Sequence, residues 1–300
     1  MKLYLAGIYT SNMNLQGNIF HRLDEREQAA RLELPYILES YHYIHKETVV
    51  RKIRQDGTKI FLDSGAFSAF TKGVDVNLNK YCAYIKDKQD IIKFASVLDA
   101  IGDAQGTFAN QIEMERQGVQ PLPCFHYGED TRYLDYYVAN YEYVTIGGMV
   151  PISTPQLLLW LDRIWEHHLT DGAGRPLIKI HGFGLTAPSL MKRYPWYSVD
   201  SSSWVQAAAN GLIVLPWNGA KFAVSSNSSA RHNHNQHLDT IPDDLRIALT
   251  KRIEEFGFSM ERLQTQYMAR WIFNCWAFKQ LSELLLEGDP KFHMEQMGLF

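Results

Sequence analysis

Apolar runs of strand length recur along the chain, each closing on or near a glycine or an acid: KLYLAGI at 2–8, KIFLDSG at 59–65, FASVLDAIG at 94–102, PLPCFHYG at 121–128, YVTIGG at 143–148, LIKIHGFG at 177–184, WYSVDSS at 196–202 and LIVLPW at 212–217. Segments with helical spacing lie between them. After Thr154, residues Leu157, Leu158, Leu161, Ile164 and Trp165 fall on one face. TFANQIEMERQG stops at Gly118 and SSWVQAAANG at Gly211, as helices capped by glycine do. Strands that are apolar throughout, rather than alternating, suit a parallel sheet covered on both faces. Eight such units predict an α/β fold of the TIM (β/α)8 barrel type over residues 1–220, with an open doubly wound sheet as the alternative. Polar residues favour the barrel: Asp63, Asp99, His126, Gly147, Gly148, His181 and Asp200 all fall at predicted strand C-terminal ends, which converge on one face of a barrel. After the eighth run the pattern turns polar and irregular, and two helical stretches follow, PDDLRIALTKRIEEFG and SMERLQTQYMARWIFNCWAFKQLSELLLEG. Residues 221–300 therefore read as a helical appendage.

Composition adds exclusions. At 46% hydrophobic and 21% charged, the 300 residues are those of an ordinary globular chain. Cys82, Cys124 and Cys275 are odd in number and far apart, which points away from a disulfide framework and towards a reducing compartment. The start MKLYLAGIYTS lacks the apolar length and cleavage site of a signal peptide, and no run reaches a membrane span of ~20 apolar residues. A cytoplasmic protein without membrane contact is expected. The net charge of −3 gives no broad basic footprint, so any nucleic-acid contact needs a local patch. Arg51, Lys52, Arg54 and Lys59 form one candidate; Lys192, Arg193 and Trp196 form another, with solvated helix faces as the plainer alternative for each.

Asp63 and Asp200 form the first chemical constellation. Two carboxylates facing one cavity can divide the work at a glycosidic carbon, one attacking and the other moving a proton. The runs DSGAF at 63–67, VLDAIGD at 97–103, TIGGM at 145–149, HGFG at 181–184 and SVDSSSW at 198–204 resemble, in order, the tRNA-guanine transglycosylase superfamily. The likeness is nearest to the shorter phage and bacterial branch, which exchanges guanine in DNA for a 7-deazaguanine. Carried over position by position, the resemblance implies Asp200 as nucleophile and Asp63 as general acid/base. It implies Asp99 as the acid that reads the purine, with Asp103 a rival, and the backbone at Gly148 and Met149, beside Gly147, for the exocyclic groups. Phe67 and His181, with Gly182 next to it, are expected to supply flat faces for the base. Where the tRNA enzymes carry a glutamine, this chain has His126, which cannot reproduce the paired donor and acceptor of an amide.

RHNHNQH is the second constellation. His232, His234 and His237 have the spacing HxHxxH, usable by a metal or by nothing. The tRNA enzymes hold structural zinc with CxCxxC and a later histidine. The resemblance thus implies a structural zinc on His232, His234, His237 and Cys275, making the appendage a helical zinc-binding one. The expected partners are DNA, with a flipped or locally unpaired guanine, and a small 7-deazaguanine related to 7-cyano-7-deazaguanine; for a phage-encoded enzyme the compartment is the host cytoplasm. A tRNA-acting transglycosylase and a metal-dependent TIM-barrel hydrolase are the alternatives.

Overall fold

The computed structural model describes residues 1–185, 187–285 and 291–292. Eight strands form one parallel sheet: β1 (Lys2–Ala6), β2 (Ile37–Ser40), β3 (Ile60–Asp63), β4 (Ile92–Ala95), β5 (Cys124–His126), β6 (Tyr143–Gly147), β7 (Lys179–Gly182) and β8 (Ser198–Ser201), in the order β4-β3-β2-β1-β8-β7-β6-β5. The edge strands meet just past β4 and just before β5. Ser96 and Leu122 form a parallel bridge, where Val97 N donates to Leu122 O at 2.9 Å and Leu122 N to Ala95 O at 2.8 Å. The sheet thereby curls onto itself as a TIM-like barrel, with helices such as Glu47–Gln55, Ala104–Arg116, Thr131–Asn140 and Thr154–Ile164 in the crossovers.

Tyr4, Leu38 and Phe61 are buried together, with Phe94, Leu122 and Phe183 packed against them. These residues mark the inward phase of their strands. By the two-residue period of a strand, Asp63, Cys124, His126, Gly147, His181, Ser198 and Asp200 share the inward phase nearer the C-terminal ends.

Three elements differ from the sequence reading. YILES, absent from the eight predicted runs, supplies β2. LIVLPW does form a strand, β9 (Leu212–Val214), but it pairs antiparallel with β10 (Lys221–Ala223) and takes no part in the barrel. The run at 94–102 divides, because β4 ends at Ala95 and leaves Asp99 in the following loop.

The chain separates into two compact units. The first contains Met1–Asn12 and Tyr36–Ser201 and holds the barrel strands; the second contains Met13–Pro35 and Ser202–Leu285. Residue 220, the boundary read from the sequence, falls within the second unit. That unit is built on the helix Tyr267–Leu284, which is apolar nearly all round and buries Ile272, Phe273, Cys275 and Phe278. Two of its buried polar side chains, Asn274 and Glu27, are paired within the unit. Asn274 Oδ1 accepts from Val214 N at 2.8 Å, and Arg262 reaches both oxygens of Glu27 at 2.7 Å. The predicted end of the last helix at Gly288 lies outside the described residues. No helix among the described residues is long and apolar enough to cross a membrane.

Candidate active site

Asp63 closes β3, and the DSG that follows is a device for holding it. Gly65 adopts φ +72°, in the left-handed region, and its amide donates to Asp63 Oδ2 at 3.0 Å. A Cβ at this position would lie 2.5 Å from Ser40 Oγ and 2.7 Å from His42 Cβ, so glycine is required by space as well as by conformation. Ser64 is tied in by its amide, which donates to Ser96 Oγ at 2.9 Å. Burial, reinforced by the Asp99 and Asp200 carboxylates, pushes Asp63 up to about 7, against the opposing effect of the Gly65 amide. Asp63 and Asp200 at strand ends, and Asp99 in the loop after β4, are therefore close enough to feel one another.

Asp200 sits on β8 and is 7% exposed. Its Oδ1 accepts from Gly184 N at 2.8 Å, and Gly184 has φ +63°. His181 Nε2 lies 3.4 Å from the same oxygen and is buried without a hydrogen-bond partner, while His181 Nδ1 is 2.6 Å from Ser198 Oγ. The imidazole is enclosed by Tyr4, Phe61 and Phe183, with ring centroids 4.7 to 5.9 Å away. His181 is thus a buried support beside Asp200. It is not the open flat face expected from the sequence, because the barrel's own aromatics already cover it. Phe67, on the short helix Ala66–Phe70, is 59% exposed and free to stack. Gly182 has a packing reason of its own, since a Cβ would meet the Trp196 ring at 3.1 Å.

Across the mouth, Asp99, Cys124 and His126 come together. Among the described residues they are the one group of His, Cys, Asp and Glu that could hold a metal ion, with ligand atoms all within 4.8 Å of one another. His126 Nδ1 lies 2.9 Å from Glu129 Oε1, and Glu129 Oε2 accepts from the His126 amide at 2.9 Å. Burial works against a charged His126, but Cys124 and the Asp99 and Glu129 carboxylates outweigh it and drive its pKa upward. Burial pushes the Cys124 thiol up. Gly147 keeps this corner open, since a Cβ would lie 3.0 Å from both Cys124 Sγ and His126 Cδ2. Gly148 is exposed at φ +69°, and Met149 is buried.

Other predicted residues have different work. Asp103 caps the helix Ala104–Arg116, its Oδ1 accepting from Gly106 N at 2.9 Å, which explains the acid without any base. Trp196 is 3% exposed, packs edge-on against Trp165 and donates its Nε1–H to Leu190 O, leaving no face for a nucleic-acid strand. Arg193 is engaged by both oxygens of Asp162 at 2.7 and 2.9 Å, whereas Lys192 is exposed. In the earlier basic cluster, Arg54 pairs with Asp90 and Glu47.

The expected zinc quartet does not converge. His232 and His234 are exposed, and Cys275 is buried in a helix, where desolvation raises its thiol well above the ordinary range. His237 is buried with both ring nitrogens used: Nε2–H donates to Ser225 O at 2.9 Å and Nδ1 accepts from Asp239 N at 3.0 Å. A structural zinc on these four residues does not fit the donor set.

Sequence reasoning passed over Cys124, Glu129 and Ser198. Cys124 and His126 stand at i and i+2 on a strand, which places both on one face, so CxH was a readable signal. No family model matches the chain, and no curated protein matches it.

Proposed function

We propose that the chain is a transglycosylase that exchanges guanine in DNA for a 7-deazaguanine through a covalent intermediate on Asp200. The reading is carried by the shared mouth of Asp63, Asp99 and Asp200, set among the glycine-rich strand ends of the barrel. An Asp200 oxygen attacks C1′ as the bond from C1′ to guanine N9 breaks, and the leaving base takes a proton from Asp63. The incoming deazaguanine then gives its N9 proton to Asp63 and attacks C1′, breaking the ester and freeing Asp200. A group held near 7 suits both directions of that transfer. Hydrogen bonds from Gly184 to Asp200 and from Gly65 to Asp63 aim the two carboxylates. Phe67 supplies a stacking face for the purine, and Asp99 faces its donor edge. In duplex DNA the guanine must first leave the stack, at roughly a few kcal/mol.

Incubation with labelled 7-cyano-7-deazaguanine and DNA or tRNA in parallel tests the reading. Label in DNA is expected. Label in tRNA alone would move the activity to the other polymer, and label in neither would remove base exchange.

A further inference from the structure

We propose that Asp99, Cys124 and His126 form a three-ligand site for a zinc-class divalent metal at the barrel mouth, with a fourth position open to water or to a nitrogen or sulfur donor. Bonds of about 2.3 Å from zinc to sulfur and about 2.0–2.1 Å to nitrogen and oxygen set tetrahedral edges of about 3.6 Å for S···N and about 3.3 Å for N···O. Cys124 Sγ and His126 Nε2 are 3.4 Å apart, and His126 Nε2 and Asp99 Oδ1 are 3.4 Å apart. Two of the three edges are therefore already close to those of a tetrahedron. The third, from Cys124 Sγ to an Asp99 carboxylate oxygen, is within 4.8 Å, and a turn of that carboxylate would close it.

Two further observations point to a cation. Asp99 Oδ1 is buried and makes no hydrogen bond; its nearest positive neighbour is the His126 ring, whose Nε2 stands 3.4 Å away, a separation that a cation bound by both atoms would bridge. Glu129 takes the Nδ1 side of His126 with one oxygen and the His126 amide with the other, fixing the ring so that Nε2 faces Asp99 and Cys124. A carboxylate behind a ligating histidine is the common outer support of zinc. Thiolate, imidazole and carboxylate together suit zinc, cobalt or copper and disfavour magnesium or calcium, which prefer oxygen. Binding expels the Cys124 thiol proton, and any proton on Nε2, to solvent. The metal would take Oδ1 of Asp99 and leave Oδ2 for a substrate, and the site stands whether or not the chain exchanges bases.

The test uses the full chain, stripped by chelator and titrated with zinc and with cobalt. Binding of about one equivalent is expected, with the near-ultraviolet thiolate-to-cobalt band and visible bands of four-coordinate cobalt. Cys124→Ser should abolish the thiolate band. Glu129→Gln should weaken zinc binding about 10–100-fold while keeping that band, and this variant decides the matter if Cys124→Ser does not fold. Absence of binding, cobalt binding without a thiolate band, or undiminished affinity in Glu129→Gln would overturn the proposal. So would loss of binding in a His232→Ala, His234→Ala double variant.

Discussion

On β5, Cys124 and His126 stand two residues apart on a strand, so both side chains leave the same face and meet Asp99 from the loop after β4. His232 and His234 have the same spacing in a segment with no strand beneath them, and both are exposed to solvent. Asn235 turns the chain at φ +59°, and Thr240 Oγ1 donates to Asn233 O at 2.7 Å, so the loop is held by its own hydrogen bonds. The mouth, by contrast, keeps buried atoms without partners, Asp99 Oδ1 and His181 Nε2. Spacing specifies a site only where the backbone repeats, and unspent polar capacity marks the place where a ligand is wanted.

If chemistry belongs to the mouth, the largest effect should come from Asp200→Ala. Exchange and covalent trapping of the polymer should fall by about 10⁴-fold or more, as for other covalent nucleophiles, with the fold retained by circular dichroism. A denaturant-resistant adduct in that variant would remove Asp200 from the role.

Asp63→Asn should cost about 10²–10⁴-fold in turnover, more than in adduct formation, because the incoming base loses its proton acceptor. In the wild type, adduct formation should decline as pH rises through about 7, where Asp63 gives up the proton it must donate. The asparagine variant should lack that decline. The same shift affects stability. A carboxyl held near 7 in the fold and near 4 when unfolded contributes fully at low pH, and that contribution is lost as pH rises from about 4 to about 7. Denaturant titrations at about pH 5 and about pH 8 should differ by on the order of a few kcal/mol from this group, and less in Asp63→Asn. A pH-independent difference between variant and wild type would mean that Asp63 is not the titrating acid.

The barrel was legible because parallel strands buried on both faces read as apolar runs, and the strand-end acids Asp63 and Asp200 stood out against them. β2 was not, because no glycine closes YILES and the short apolar stretch gives way at Glu39 to a run of polar and aromatic residues. That acid is turned to the loop after β1, where Tyr9 N donates to it at 2.5 Å and Thr10 Oγ1 at 2.7 Å. LIVLPW looked like a barrel strand because periodicity reports burial and says nothing of the partner strand. Trp196 looked like a surface aromatic because Lys192 and Arg193 precede it, yet the ring fills the space that Gly182 leaves. Cys124 and His126 share a face of one strand, but Asp99 reaches them only through the closure of β4 onto β5, which spacing in the sequence does not show.

In the second unit, packing should set the cost of substitution. Cys275→Ala removes a fully buried sulfur and should cost roughly 1–2 kcal/mol in denaturant titrations, with no change in metal content. Metal loss in that variant would restore the zinc quartet.

The smallest effects separate the loop histidines from one another. His237→Ala breaks the bonds to Ser225 O and from Asp239 N inside the unit and leaves the buried Ser225 carbonyl without that partner, so it should cost about 1–3 kcal/mol. His232→Ala with His234→Ala removes only exposed rings and should change stability by no more than about 0.5 kcal/mol. The contrast within one HxHxxH motif is what a loop held by hydrogen bonds requires, since a shared metal would make all three losses similar and drain the metal in each. Equal destabilisation of the double variant and His237→Ala, with metal lost from both, would return the motif to ligand duty and undo the contrast with β5.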